Sequence, residues 1–197
     1  MKRYNKIICI LDRSGSMDTI IDDAIGGLNT FLNSQKQLDI NNKISIVLFD
    51  TEHELHYDNV KISEVPVFTK ENYVPRGGTS ILDGIIFSIE NEFDLLATLS
   101  KEERPEKILV FILTDGQSNS DIYYTSEDVK NRITELKKSN WDFIFAGANI
   151  DSYSTSSSLG ISKSNTIQYT TDGSGDNISV AYAAVNDMTS TYFSSTK

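Results

Sequence analysis

The sequence predicts an α/β domain built on a mainly parallel sheet with both faces covered. Three observations carry that expectation. Short near-continuous apolar runs at 6–11, 44–49, 108–113 and 143–146 have the pattern of strands buried on both sides. Longer stripes between them place apolar residues three and four apart, as amphipathic helices do. Strands alternating with helices form βαβ units, whose crossovers make neighbouring strands parallel. The length of 197 residues suits a single domain over 1–197.

The elements follow in order. After the strand at 6–11, a helix over 18–38 is marked by Ile21, Ala24, Ile25, Leu28, Phe31, Leu32 and Leu38. The strand at 44–49 ends in Asp50-Thr51-Glu52, and 54–60 follows it with Leu55, Tyr57 and Val60, so the pair reads as an antiparallel edge hairpin. A helix over 80–97 carries Ile81, Leu82, Ile85, Ile86, Ile89, Phe93 and Leu96. Beyond the strand at 108–113, a short helix over 127–138 uses Val129, Ile133 and Leu136, with Ser126 as its N-cap. A helix over 152–159 ends at Gly160, and a weak last strand is expected at 167–170. The final helix, 176–193, has Ile178, Ala181, Val185, Met188 and Tyr192 on one face.

Composition limits the function. Eighteen Lys and Arg stand against 28 Asp and Glu, a formal charge of −10, and no basic cluster breaks the trend, so nucleic-acid and anionic-membrane binding are not expected. The single cysteine, Cys9, lies inside an apolar run and reads as a small buried hydrophobe. The first apolar run is too short for a secretory signal, and no run reaches membrane-spanning length, which predicts a cytoplasmic protein.

Three loops carry the chemistry. Asp12, Ser14 and Ser16 follow the first strand, Thr79 follows Gly77-Gly78 at the start of a helix, and Asp115 follows the strand at 108–113. In an open α/β sheet, ligands bind beyond the carboxyl ends of the strands, where the winding direction reverses. If those two strands are neighbours, Asp12 and Asp115 face one another there and Thr79 reaches the same point. Two carboxylates and three hydroxyls make a hard, all-oxygen set suited to Mg²⁺, Mn²⁺ or Ca²⁺ rather than zinc. Two carboxylates only just balance a divalent ion, leaving it able to accept a Glu or Asp from outside. Taken singly, each loop has a plainer reading: helix caps for Asp12, Ser14 and Ser16 and for Thr79 or Ser80, and a turn for Asp115-Gly116.

On these residues the chain resembles a von Willebrand factor type A domain, whose metal ion-dependent adhesion site follows Asp-x-Ser-x-Ser, a later Thr and a later Asp. The resemblance spans the chain and implies a doubly wound, Rossmann-like, six-stranded sheet in the order 3-2-1-4-5-6. It further implies one antiparallel edge strand and helices on both faces. It implies that Ser14 and Ser16 bind the ion directly, that Thr79 and Asp115 exchange direct and water-mediated contact, and that Asp12 acts through water. Asp12-Arg13-Ser14-Gly15-Ser16-Met17, Gly77-Gly78-Thr79-Ser80, Thr114-Asp115-Gly116-Gln117 and the stretch 145–151 look closest to the bacterial intracellular branch. The expected function is a divalent-metal-dependent protein-binding module that accepts a partner's Glu or Asp. In adhesive members the last helix can shift on ligation, which here would be 176–193.

The alternative is a metal-assisted hydrolase on the same fold. Against it, Ser14 stands where a phosphatase would want a second carboxylate, and neither histidine, His53 nor His56, is placed to serve Ser14 or Ser16, so no enzyme is expected. The two histidines, three apart on a strand, also make a poor metal pair. Asp83 is a candidate for shaping the metal loop. Asp121 and Asn119 read as solvated rim residues, and Arg76, Tyr123 and Tyr124 as candidates to touch a ligand. Gly173-Ser174-Gly175 reads as a turn, since it lacks the strand and the Lys of a phosphate loop.

Overall fold

The computed structural model describes residues 4–38, 41–172 and 177–195. Among them lie six strands: β1 (Lys6–Asp12), β2 (Lys43–Phe49), β3 (His53–Lys61), β4 (Ile108–Thr114), β5 (Trp141–Gly147) and β6 (Thr166–Gln168). The helices are α1 (Ile21–Leu38), α2 (Ile81–Thr98), α3 (Ser126–Leu136), α4 (Ser152–Ser158) and α5 (Ile178–Ser194). The sheet runs β3-β2-β1-β4-β5-β6, with β3 antiparallel at one edge and every other pairing parallel. This is the doubly wound arrangement. The chain winds outward from β1 to β3, returns to place β4 beside β1, and winds the other way to β6, so the switch point lies between β1 and β4.

The period-two alternation of β1 divides the core. Ile7, Cys9 and Leu11 face the layer containing Leu28 and Phe31 of α1 and Tyr182 and Val185 of α5. Ile8 and Ile10 face Ile85 and Ile89 of α2 and Val129 and Ile133 of α3. A Cβ on Gly27 of α1 would overlap the ring of Tyr182, so this glycine sets how closely α1 and α5 approach. At the end of β1 away from the switch point, Lys6 is wholly buried, 3.1 Å from Glu92 Oε2 of α2 and 3.0 Å from Asn59 Oδ1.

Several boundaries differ from the sequence expectation, each for a local reason. The first helix enters through a 3₁₀ turn, Gly15–Ile20, in which Met17 N donates to Ser14 O at 3.0 Å, and its last expected core position, Leu38, is exposed. The N-cap of α3 is Thr125 rather than Ser126. Its hydroxyl accepts from Asp128 N while the Asp128 carboxylate accepts from Thr125 N at 2.8 Å, a reciprocal box that starts the helix earlier. The last strand runs Thr166–Gln168 because its partner β5 ends at Gly147; Tyr169 N makes the final bond to Gly147 O at 3.0 Å, and its buried ring donates its hydroxyl to Thr114 O at 2.9 Å. The glycine turn at 173–175 and the expected helix start at 176 lie outside the described residues. α5 begins at Ile178, capped by Asn177, whose side chain accepts from Ser179 N and Val180 N. No helix among the described residues is long and apolar enough to cross a membrane.

Candidate metal centre

β1 and β4 deliver Asp12 and Asp115 to the switch point, one as the last residue of its strand and the other just past its end. Asp12 is completely buried, with both carboxylate oxygens engaged: Oδ1 accepts from Ser14 N at 2.7 Å and Oδ2 from the Thr114 hydroxyl at 2.6 Å. The first of these bonds folds the chain back sharply after β1 and holds Ser14 and Ser16 over the sheet. Their hydroxyl oxygens are 3.0 Å apart, and Ser16 Oγ donates to Asp115 Oδ1 at 2.7 Å. Asp12, Ser14, Ser16 and Asp115 therefore form one continuous network across the β1–β4 junction. Ser14, at the N-cap position, makes no capping bond with its side chain, and neither does Ser80 ahead of α2, so the plain helix-cap reading of these loops is not realised.

Thr79 joins through its backbone. Gly15 N donates to Gly77 O at 3.1 Å, which seats the 77–79 loop against the serine loop. Gly77 has φ +64°, the left-handed region that a β-carbon disfavours. Thr79 is buried; its N–H donates to Asn119 Oδ1 at 2.9 Å, and its carbonyl accepts from Asn119 N, Ser120 N and the Ser118 hydroxyl. All three loops are thus fastened together, although the Thr79 hydroxyl is not hydrogen-bonded to the other four residues.

The electrostatics separate these carboxylates from the rest. Burial pushes the Asp12 carboxyl up to about 6, against hydrogen bonds from Thr114 and Ser14 that favour the ionised form. Burial likewise raises Asp115, opposed by the Ser16 hydroxyl. No ion pair among the described residues reaches either acid. The nearest guanidinium, Arg13, lies next to Asp12 in sequence but turns away to Asp50 Oδ2 at 2.7 Å and Glu54 Oε2 at 2.5 Å. Arg76, a candidate to touch a ligand, is bound to Asp50 and Glu52, each at 2.8 Å. Burial pushes the Asp50 carboxyl up, but the bonds from Arg76, Glu52 N and Arg13 outweigh it and hold it below its ordinary value. Asp12 and Asp115 remain as two buried acids without a cation, lined by hydroxyl oxygens. That donor set fits a hard divalent ion, whose charge would supply what the protein withholds. Among the described residues no group of three or more His, Cys, Asp or Glu could hold a metal, so any ion here depends on the serine and threonine oxygens.

Two acids near the site have roles the sequence did not reveal. Asp121, read as a solvated rim residue, caps α2 from a distance: its Oδ1 accepts from Leu82 N at 2.8 Å and Asp83 N at 3.2 Å, and its Oδ2 accepts from Ser118. Asp83 returns the contact, accepting from the N–H groups of Ile122, Tyr123 and Tyr124 at 2.8, 3.2 and 3.0 Å. Tyr124, also a candidate for ligand contact, instead packs beside the α2–α3 core and donates to Glu90. Two buried tyrosines support the strand ends: Tyr73 donates to Asp12 O at 2.5 Å and Tyr169 to Thr114 O. Neither has a spacing signal in the sequence; each is brought to the site by tertiary packing. His53 Nε2 lies 3.2 Å from Ser80 O and His56 Nδ1 2.9 Å from Glu54.

No family model matches the chain, and no curated protein matches it. Solved structures do. The von Willebrand factor domain of the type V pili tip protein from Porphyromonas gingivalis superposes with a TM-score of 0.71 at 10% identity, covering 100% of this chain and 98% of that one. The paralog of ArnB from Sulfolobus acidocaldarius, a VWA protein, gives 0.61 at 17% identity, covering 94% of this chain and 45% of that one. Proximal thread matrix protein 1 from the mussel byssus, in a structure whose MIDAS motif is occupied by zinc, gives 0.62 at 16% identity over 95% of this chain and 46% of that one. The chain thus spans less than half the length of the last two. At such identities the likeness is one of fold, and the fold is that of a von Willebrand factor type A domain.

Proposed function

We propose that the protein is a divalent-cation-dependent protein-binding module, in which an ion at the β1–β4 junction accepts a Glu or Asp carboxylate from a partner. The observation that carries this reading is the continuous oxygen network through two buried acids that no cationic side chain neutralises. Ser14, Ser16, Thr79, Asp12 and Asp115 would hold the ion, directly or through water, and Mg²⁺, Mn²⁺ or Ca²⁺ suits their all-oxygen chemistry. The zinc-occupied motif of the mussel protein supports metal binding at such a junction on this fold. Ser16 is exposed at its outer edge, which leaves the site approachable. Binding is proposed rather than turnover because both histidines are engaged elsewhere, His53 against Ser80 O and His56 against Glu54, and the carboxylate that accepts from a serine hydroxyl, Asp115, would be committed to the ion. We place the protein in the cytoplasm of a bacterial cell as part of the same proposal.

The test is capture of partners by the immobilised chain in Mg²⁺ or Mn²⁺ and in chelator, with Asp12→Ala and Thr79→Ala alongside. Proteins retained with metal should be lost in chelator and with either variant. Capture that is the same under all these conditions would refute the proposal.

A further inference from the structure

We infer that the metal-bound carboxylate is read together with an apolar neighbour, and that Ile122 and Tyr123 form the contact for it. This inference rests on the binding reading above and names its partner class: a peptide segment or surface strand in which an acidic residue is flanked by large aliphatic or aromatic side chains.

Ile122 is 77% and Tyr123 78% exposed, the two most exposed of the large hydrophobic residues among those described. A single exposed apolar residue needs no explanation, but two adjacent ones beside a candidate binding site do. Their exposure is imposed by the backbone. The amides of Ile122, Tyr123 and Tyr124 are spent on the buried Asp83 carboxylate, and the preceding Asp121 is tied to the first turn of α2. With its amides fixed against α2, the loop turns Tyr124 inward toward the core and leaves the two residues before it with nothing to cover them.

The position of the loop decides what it would meet. The same segment, a few residues earlier, supplies Asn119 and Ser118 to the backbone of Thr79, and Asp83 lies one helical turn beyond Thr79. The apolar pair is therefore on the same loop that fastens Thr79, three and four residues after Asn119. Charge points the same way. The chain carries −10 overall, yet between Ser118 and Tyr124 the only charged residue is Asp121, whose carboxylate is directed inward to α2 amides and Ser118. An acid bound by the ion would meet an uncharged, apolar rim on this side. Tyrosine is among the residues that most often carry binding energy, and a backbone already held by Asp83 loses less entropy when the loop is covered.

The experiment uses phage-displayed linear peptides with one fixed Glu and randomised flanks, and a matched library with Gln in its place, selected on the whole chain in Mg²⁺. On the wild-type chain, enrichment of the Glu library over the Gln library that chelator abolishes is expected; without it the metal reading itself falls. The flanks test the present inference. Leu, Ile, Phe, Tyr and Trp next to the Glu should rise about tenfold over input, equivalent to about 1.4 kcal/mol. That preference should collapse on I122S/Y123S and persist on I122V/Y123F, with Mg²⁺-induced thermal shifts verifying that both variants are folded. Glu enrichment with random flanks, an undiminished flank preference on I122S/Y123S, or its loss on I122V/Y123F would each overturn the inference and leave the metal reading standing.

Discussion

Replacing Asp12 with Asn should stabilise the protein when no divalent ion is present and lose that advantage over wild type when one is. In the folded chain burial holds the Asp12 carboxyl at about 6 against an ordinary value of 3.8. The native state therefore binds the proton more tightly than the unfolded chain does, and stability falls as pH rises through the window between those two values. At pH 7 the cost of keeping this acid ionised is about 3 kcal/mol, taking about 1.4 kcal/mol per pH unit. Asn is close to isosteric and removes the charge. Its oxygen can still accept from Ser14 N, and its amide can donate to Thr114 Oγ1 once that hydroxyl turns its own proton to Gly116 O, 3.1 Å away. In chelator at pH 7 the variant should melt about 6–12 °C above wild type, and the gap should close near pH 4. In Mg²⁺ at roughly a hundred times its dissociation constant, wild type should gain about 2.7 kcal/mol and the variant none, which erases the difference. Thermal and urea melts at the two pH values, with and without Mg²⁺, provide the measurement. A variant no more stable than wild type in chelator at pH 7 would show that Asp12 is not strained by its burial, and the case for cation binding at this junction would fail with it.

Three further outcomes are expected. Lys6→Met leaves Glu92 buried without its cation and should cost about 3–5 kcal/mol in a urea melt, while Lys6→Met with Glu92→Leu should recover most of it; an undiminished loss in the double variant would contradict a pairwise role. Asp83→Ala should cost about 1–3 kcal/mol and raise amide hydrogen exchange at Ile122, Tyr123 and Tyr124, and unchanged protection there would mean the carboxylate does not hold the loop. Gly27→Ala should lower stability by about 1–2 kcal/mol, because overlap with the Tyr182 ring outweighs the roughly 1 kcal/mol gained in helix propensity; a higher melting temperature would show that α1 and α5 separate freely.

Much of the fold was legible because its signals are local. The strands at 44–49 and 108–113 differ from β2 and β4 by a single residue each, since an apolar run bounded by turns needs no tertiary information to be seen. The misplaced boundaries belong to residues whose conformation is set from elsewhere: Thr125 by the carboxylate of Asp128, the end of β6 by the end of its partner β5 at Gly147, and the 3₁₀ entry to α1 by the bond from Ser14 N to Asp12. The junction of Asp12, Ser14, Ser16 and Asp115 was legible for a different reason. Strand ends at a switch point converge by topology, so placing the strands places the residues that follow them.

The acids themselves were harder to sort, and the reason is physical. Asp12, Asp50, Asp83, Asp115 and Asp121 all lie at or near strand ends or a helix start; the motif singles out Asp12 and Asp115, but sequence does not show what the other three acids meet. What distinguishes them is the source of positive charge that each one meets. Asp50 meets two guanidinium groups, while Asp83 and Asp121 meet backbone N–H groups from one another's segments. Asp12 and Asp115 meet hydroxyl groups, the Ser14 N–H and Asp115's own N–H, which orient a carboxylate without neutralising it. A buried acid that is satisfied geometrically but not electrostatically costs the fold free energy, and a cation arriving with each binding event would offset it. The same division explains why Arg13, one residue from Asp12, pairs with Asp50 and Glu54. A guanidinium turned the other way would neutralise Asp12 permanently and leave nothing for the cation of the proposed recognition to offset.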